Sequence, residues 1–147
     1  MKEYIVEIKD LVPETVTVAL QADLTISSDI GREIRRTASQ FGYYAVLAEK
    51  AESRTRRAKL GFDLWRARTE DEIETKMRAE TGKGFSKVKD LTRELMKLPK
   101  YKAYQLKLDE YEEQARVLKV VARAFEHKKD LVQTQSANRR RELDGAD

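Results

Sequence analysis

The chain has 147 residues, which is room for one domain and hardly two. Charged residues make up 38% of it, against roughly a quarter in an average soluble protein, so we expect an elongated shape with much surface. The absence of cysteine excludes disulfides, thiolate zinc sites and cysteine nucleophiles, and the single histidine excludes an imidazole-rich centre. No run approaches 18 apolar residues and the N-terminus lacks an apolar signal segment, so we expect a cytoplasmic protein with no membrane partner.

The N-terminal segment, residues 1–27, has a pattern that fits more than one structure. Residues 4–8 are compatible with a strand. Further along, residues 13–22 fit a helix that starts on Pro13, and residues 15–20 fit a strand. Of these two, we favour the short helix.

A single apolar series begins at Ile30 and repeats with steps of four and three through five heptads. Such a period predicts one long helix with one apolar seam, capped by Ser28 or Asp29. Gly42 and Gly61 interrupt this helix at a cost of up to about 1 kcal/mol each relative to alanine, so another feature should account for them. The seam residues are Ile30, Ile34, Thr37, Phe41, Tyr44, Ala48, Ala51, Thr55, Ala58, Phe62 and Trp65.

The next stretch carries the signals of a helical corner. A capping-box pattern at residues 69–72 predicts that the long helix breaks near Arg68 and that a short helix follows to about residue 80. Residues 81–86 are typical of a loop. A third helix, capped by Ser86, is predicted to hold Val88, Leu91, Leu95 and Leu98.

The last helix is predicted to start at Pro99, where the missing N–H costs nothing, and to run to about Arg141. Its heptad series consists of Tyr101, Tyr104, Leu108, Tyr111, Ala115, Leu118, Ala122 and Phe125, continued by Val132. Two long helices of matching length predict an all-α fold, in which they form an antiparallel, coiled-coil-like hairpin with short helices at the corner. The hairpin domain is predicted to cover residues 28–142, followed by a disordered tail, residues 143–147.

Four residues of the last helix lie beside its seam and widen the apolar stripe, namely Val117, Val120, Val121 and Ala124. This width predicts a third helical neighbour, which is the corner helix, the N-terminal segment or another protomer. Because a two-helix hairpin has a thin core, we expect assembly into a homo-oligomer.

Sequence signatures of catalysis are missing. The Gly82-Lys83-Gly84 stretch lacks both the hydroxyl residue and the earlier glycine of a phosphate-binding loop. The acidic residues 70–74 lack the spacing of a calcium loop, and no nucleophile–base pair stands out. We therefore expect a protein that is not an enzyme and that has no cofactor and no metal site.

Basic residues are concentrated in two blocks. Residues 32–68 and residues 81–107 each carry a net charge of +6, which suggests a polyanionic partner, although composition alone favours the alternative of a long solvated helix face. On the first long helix the cations form two ridges that flank the seam, with Phe62 and Trp65 between them. Cations interleaved with rings suit single-stranded nucleic acid, although we favour a core role for the two rings. The candidate DNA-binding residues are Arg54, Arg57, Lys59, Arg66 and Arg68, with Lys83 and Lys87 at the corner.

One motif resembles a known family. The stretch Arg57-Ala58-Lys59-Leu60-Gly61-Phe62 is similar to the basic–Ala–basic–Leu–x–aromatic segment of phage recombination mediators of the UvsY type. The segment Asp23-Leu24-Thr25-Ile26, which leads into a helix with Tyr43-Tyr44 and Leu47, also resembles that family. The order of a long helix, an acidic break, a short helix and a long helix matches as well.

The resemblance implies an all-helical protein that assembles into a ring, binds single-stranded DNA and hydrolyses no nucleotide. Its partners would be single-stranded DNA, the single-strand-binding protein that it helps to displace, and the recombinase that it loads, in the cytoplasm of the host cell if a phage encodes it. Arg57 and Lys59 would be the DNA-contacting pair. The alternative is a structural or adaptor coiled-coil oligomer that binds no nucleic acid.

Overall fold

The computed structural model describes residues 5–8, 16–85 and 87–146. The chain is mostly helical and its two long helices pack against each other, which confirms the all-α class. Within the described residues, no helix is long and apolar enough to cross a membrane. The elements in chain order are β1 (Ile5–Ile8), β2 (Val16–Ala19), α1 (Leu20–Leu24), α2 (Ile30–Thr81), α3 (Val88–Met96) and α4 (Pro99–Asp144).

The N-terminal segment contains an antiparallel pair of strands in which Val6 lies opposite Val18. Val6 and Ile8 are buried while their neighbours in β1 are exposed, as expected of a strand with one face in a core. The favoured helix over residues 13–22 is wrong at β2, because its β-branched residues pair with β1 there. The helix begins only at α1, and residues 13–15 lie outside the described part of the chain.

Helix α2 starts as predicted, because the backbone N–H of Arg32 donates to the Asp29 carboxylate at 3.0 Å. The predicted break near Arg68 is wrong, since α2 continues without interruption to Thr81. A capping box marks the start of a new helix only if the backbone leaves helical geometry at the cap residue, and neither glycine nor proline enforces that here. Ion pairs from residue 66 to residue 70 and from residue 74 to residue 78, both at 2.9 Å, instead stabilise the helix across and beyond this point.

The corner begins where Gly82 adopts a left-handed backbone with φ of +70°. Its N–H donates to the carbonyl of Arg78 at 2.9 Å, which is the usual termination of a helix by glycine. The predicted third helix is present as α3, but its predicted cap, Ser86, lies outside the described residues. Helix α4 begins at Pro99 as predicted and ends at Asp144, two residues into the predicted tail.

The packing divides the chain into two units. The first comprises residues 1–52 and 114–147, and the second comprises residues 53–113. In the first unit α2 and α4 run antiparallel, and the ring of Tyr44 stacks on that of Phe125 with centroids 4.6 Å apart. Its buried core is formed by Val6, Ile8, Val18, Tyr44, Leu47, Ala51, Ala115, Leu118, Val121, Ala122 and Phe125.

This core accounts for the widened stripe on α4. Val121 is buried in one cluster with the strand residues Val6, Ile8 and Val18, so the neighbour is the N-terminal segment. Val120, in contrast, is 66% exposed. Of the three neighbours that the sequence left open, the N-terminal segment therefore covers this part of the stripe, as strands and not as a helix.

An ion pair is buried in the first unit. The Lys128 ammonium lies 3.1 Å from the Glu33 carboxylate, and both side chains are 2% exposed. Lys128 also donates to the backbone carbonyl of Asp23 at 2.7 Å, and Arg36 lies 3.8 Å from the other oxygen of Glu33. This polar contact ties the start of α2 to α4 and to the end of α1.

Candidate nucleic-acid interface

A groove of about 340 Å³ lies between α2 and α4 in the second unit; we call it the basic groove. Helix α2 contributes residues at spacings of three and four, and α4 does the same from the opposite wall, as expected of two helices that face each other. The lining residues are Arg54, Arg57, Ala58 and Gly61 from α2 and Tyr104, Lys107, Leu108 and Tyr111 from α4.

The basic groove is positively charged. Among the described residues, three cations line it and no carboxylate does. The guanidinium carbon of Arg54 lies 4.1 Å from the centroid of the Tyr111 ring, and the Lys107 ammonium lies 5.7 Å from the same centroid. Both are cation–π distances, so the ring holds two of the three positive charges beside the groove.

An aromatic cluster supports one end of this groove. The Tyr104 ring packs against Phe62 at 5.5 Å and against Trp65 at 5.1 Å, centroid to centroid, and Tyr101 packs edge-on against Phe62 at 5.4 Å. Phe62 is buried and Trp65 is half-buried. The core role favoured for these two rings is confirmed for Phe62, and it is Tyr104 that borders the groove.

The predicted cations are distributed over several surfaces. Arg54 and Arg57 lie together in the basic groove. Lys59 follows Arg57 by two residues, which is about 200° around the helix, and so it lies on nearly the opposite side of α2. Four further predicted cations lie outside the groove. Arg66 is half-buried, and Arg68, Lys83 and Lys87 are exposed.

Arg66 is engaged within the protein. Its Nε donates to the Glu70 carboxylate at 2.9 Å. That hydrogen bond raises the pKa of Arg66 above its ordinary value, because it favours the charged guanidinium. A phosphate at this position would compete with Glu70, whereas Arg57 makes no ion pair within the described residues.

Sequence reasoning missed three lining residues as contributors to a site. Tyr104 and Tyr111 were placed in the seam, and Lys107 lies within the second basic block without being singled out. All three come from α4, so their approach to Arg54 and Arg57 depends on the register between α2 and α4, which brings together residues about 50 positions apart in the chain. The signal in the sequence was the i, i+3, i+7 spacing of the three on one face.

The remaining candidates for a site do not suit a polyanion or a metal. A second groove of about 250 Å³ near the corner is lined by two carboxylates, Glu80 and Glu94, and one lysine, Lys76, among otherwise apolar residues, so it carries no excess of positive charge. Within the described ranges, no three acidic or histidine side chains are grouped so that they could hold a metal ion. The acidic residues Glu70 and Glu74 pair with arginines one turn away on α2 instead.

Comparisons with models of protein families, with curated proteins and with solved structures give no match.

Proposed function

We propose that this protein is a non-enzymatic, single-stranded-DNA-binding recombination mediator that helps to load a recombinase onto DNA covered by single-strand-binding protein. The observation that carries the DNA-binding part is the basic groove, where three cations and two tyrosines of the described chain line one cavity without a carboxylate. Single-stranded nucleic acid is bound by this combination, because phosphates contact the cations and bases stack on the rings. The recombinase and the single-strand-binding protein are proposed as partners because residues 57–62 resemble a segment of mediators of the UvsY type.

The proposed contacts are sequence-independent. Arg57 and Lys107 are exposed side chains at the groove, where they reach phosphates, and phosphate contacts carry no base preference. Lys59 points away from this groove, so we propose that it contacts a different stretch of the strand or a strand held by a neighbouring protomer.

Assembly into a homo-oligomeric ring is part of the proposal. Leu60 and Leu64 lie one turn apart on α2 and are 59% and 63% exposed, which gives α2 apolar surface beyond its seam. A ring would repeat the basic groove in every protomer, so weak contacts would add through multivalency. Light scattering should give a mass several times 17.1 kDa at micromolar concentration, and a monomer of that mass would contradict the ring.

The DNA-binding proposal is tested by removing the two exposed groove cations together. Arg57→Ala/Lys107→Ala should weaken binding of a fluorescent oligodeoxythymidylate, measured by anisotropy. The variant should also reduce the salt slope of binding by about 0.7 for each phosphate that the protein no longer neutralises. The helices should remain intact because alanine is the best helix former.

The matched control is Arg116→Ala/Arg123→Ala, which removes the same charge from exposed positions of α4 outside the groove. Its affinity and salt slope should stay close to those of the wild type. Equal losses in the two variants would mean that overall charge, and not the basic groove, determines binding.

A structural or adaptor coiled coil is the second candidate. It is favoured by ion pairs that use up surface charge within the protein, such as Lys119 with Glu52 at 2.7 Å and Arg78 with Glu74 at 2.9 Å. In that case the wild type would show no salt-sensitive binding of single-stranded DNA and would still form its oligomer, because apolar contacts do not weaken with salt.

A further inference from the structure

Gly61 is an unusual residue for the part of α2 that lines the basic groove. It lies in the interior of a 52-residue helix, where glycine is about 1 kcal/mol less favourable than alanine. A Cβ built at this position meets no heavy atom within 4 Å, so packing inside the protein does not require glycine here. Gly61 does line the basic groove, together with the small residue Ala58. The missing side chain therefore keeps the groove open.

The groove has the size and the walls of a site for a flat ring. Its volume of about 340 Å³ lies at the lower end of the range for small-ligand sites. Tyr104 and Tyr111 stand one above the other on α4, seven residues apart, and both are half-buried. Each ring is held in place, Tyr104 by Phe62 and Trp65 and Tyr111 by the guanidinium of Arg54. Rings fixed in this way stack with little loss of side-chain freedom.

We propose that the basic groove receives a base of the bound strand, which packs over Gly61 and against the Tyr104 ring while Arg57 and Lys107 contact the flanking phosphates. This inference rests on the proposed DNA binding and deepens it, because it assigns the base a defined position in the groove, in the space that Gly61 leaves open. Stacking on a ring is possible for every base, so the site selects bases over bare phosphates and not one base over another.

The test compares two strands of equal length and charge, an oligodeoxythymidylate and an abasic oligomer that has the same phosphates and no bases. The wild-type protein should bind the thymidylate at least roughly fivefold more tightly, as expected for one stacked base. Equal affinity for both strands would overturn base recognition and leave the proposed DNA binding intact. Binding of neither strand would overturn the proposed function and this inference with it.

Gly61→Leu closes the groove without a change in charge, because leucine fills the open space over Ala58 and is a good helix former. The preference for the thymidylate over the abasic strand should fall towards one. Gly42→Leu is the matched control, since Gly42 is also an α2 glycine with nothing within 4 Å and does not line the groove; it should keep the wild-type preference. Gly61→Ala, the smallest addition, should give an intermediate preference if Gly61→Leu does not fold. A full preference in the folded Gly61 variants would overturn the inference.

Discussion

Replacement of Lys128 by methionine should strongly destabilise the protein, because it leaves the buried carboxylate of Glu33 without its closest cation. The two groups are 3.1 Å apart and 2% exposed, so their attraction is about 5 kcal/mol at an effective dielectric constant near 20. Desolvation costs several kcal/mol per ion, so the net contribution of the pair is small while both partners are present. Loss of one partner of a buried pair costs about 3–5 kcal/mol. Because Arg36 lies 3.8 Å from Glu33 and offers a second cation, we expect Lys128→Met to cost about 3 kcal/mol.

The assay is urea unfolding followed by circular dichroism at the helical band, with the free energy of unfolding obtained by linear extrapolation. Lys119→Met is the matched control. It breaks the exposed pair with Glu52, in which Lys119 is 57% exposed, and should cost less than about 1 kcal/mol. The double variant Glu33→Leu/Lys128→Met should recover most of the loss, because it removes both buried charges. Equal costs for Lys128→Met and Lys119→Met would refute the reasoning, since burial would then make no difference.

Three further changes test the local structure. Asp29→Ala removes the cap of α2 and should lower the free energy of unfolding by about 1 kcal/mol in the same urea assay, whereas an unchanged value would show that the cap is dispensable. Gly42→Ala and Gly61→Ala should each raise it by up to about 1 kcal/mol, since both sites have open space; a decrease would mean that the helix needs glycine there. Burial, with a contribution from Asp23, raises the pKa of Tyr44 above 10.0, so stability should fall as the pH rises through 10, where the unfolded chain loses this proton first. Tyr44→Phe should reduce that fall in pH-dependent melting curves, and an unchanged pH dependence would contradict the assignment.

The long helices were predictable because their signals are local and repeated. The cap residues Ser28 or Asp29 placed the start of α2 and Pro99 placed the start of α4, and both starts are confirmed. The predicted break near Arg68 was wrong because the capping-box pattern consists of acidic residues that follow arginines, and such a pattern also occurs within a continuous helix. In a continuous helix the same residues form i, i+4 pairs, as Arg66 and Glu70 do.

Long-range pairing was harder to predict. Whether β2 is a strand depends on β1, about ten residues away, and the segment between them carries no strong hairpin signal. The buried pair of Glu33 and Lys128 was missed because the heptad series assigned most seam positions to apolar residues. On α4 the series gave the seam position to Lys129, whereas the structure buries its neighbour Lys128. Charge identified Arg54 and Arg57 from the sequence, whereas Lys107 needed the register of the two helices.

The most direct test of DNA binding through the basic groove is an anisotropy titration of the wild-type protein with a labelled oligodeoxythymidylate at about 50 and about 200 mM salt. If the two exposed groove cations, Arg57 and Lys107, each neutralise one phosphate, the logarithmic salt slope is about −1.4 and the affinity falls roughly sevenfold between the two salt concentrations. Further contacts, from Lys59 or from neighbouring protomers, would make the fall steeper. Binding that is absent at the lower salt concentration, or that changes less than about twofold between the two concentrations, would contradict a phosphate-binding groove.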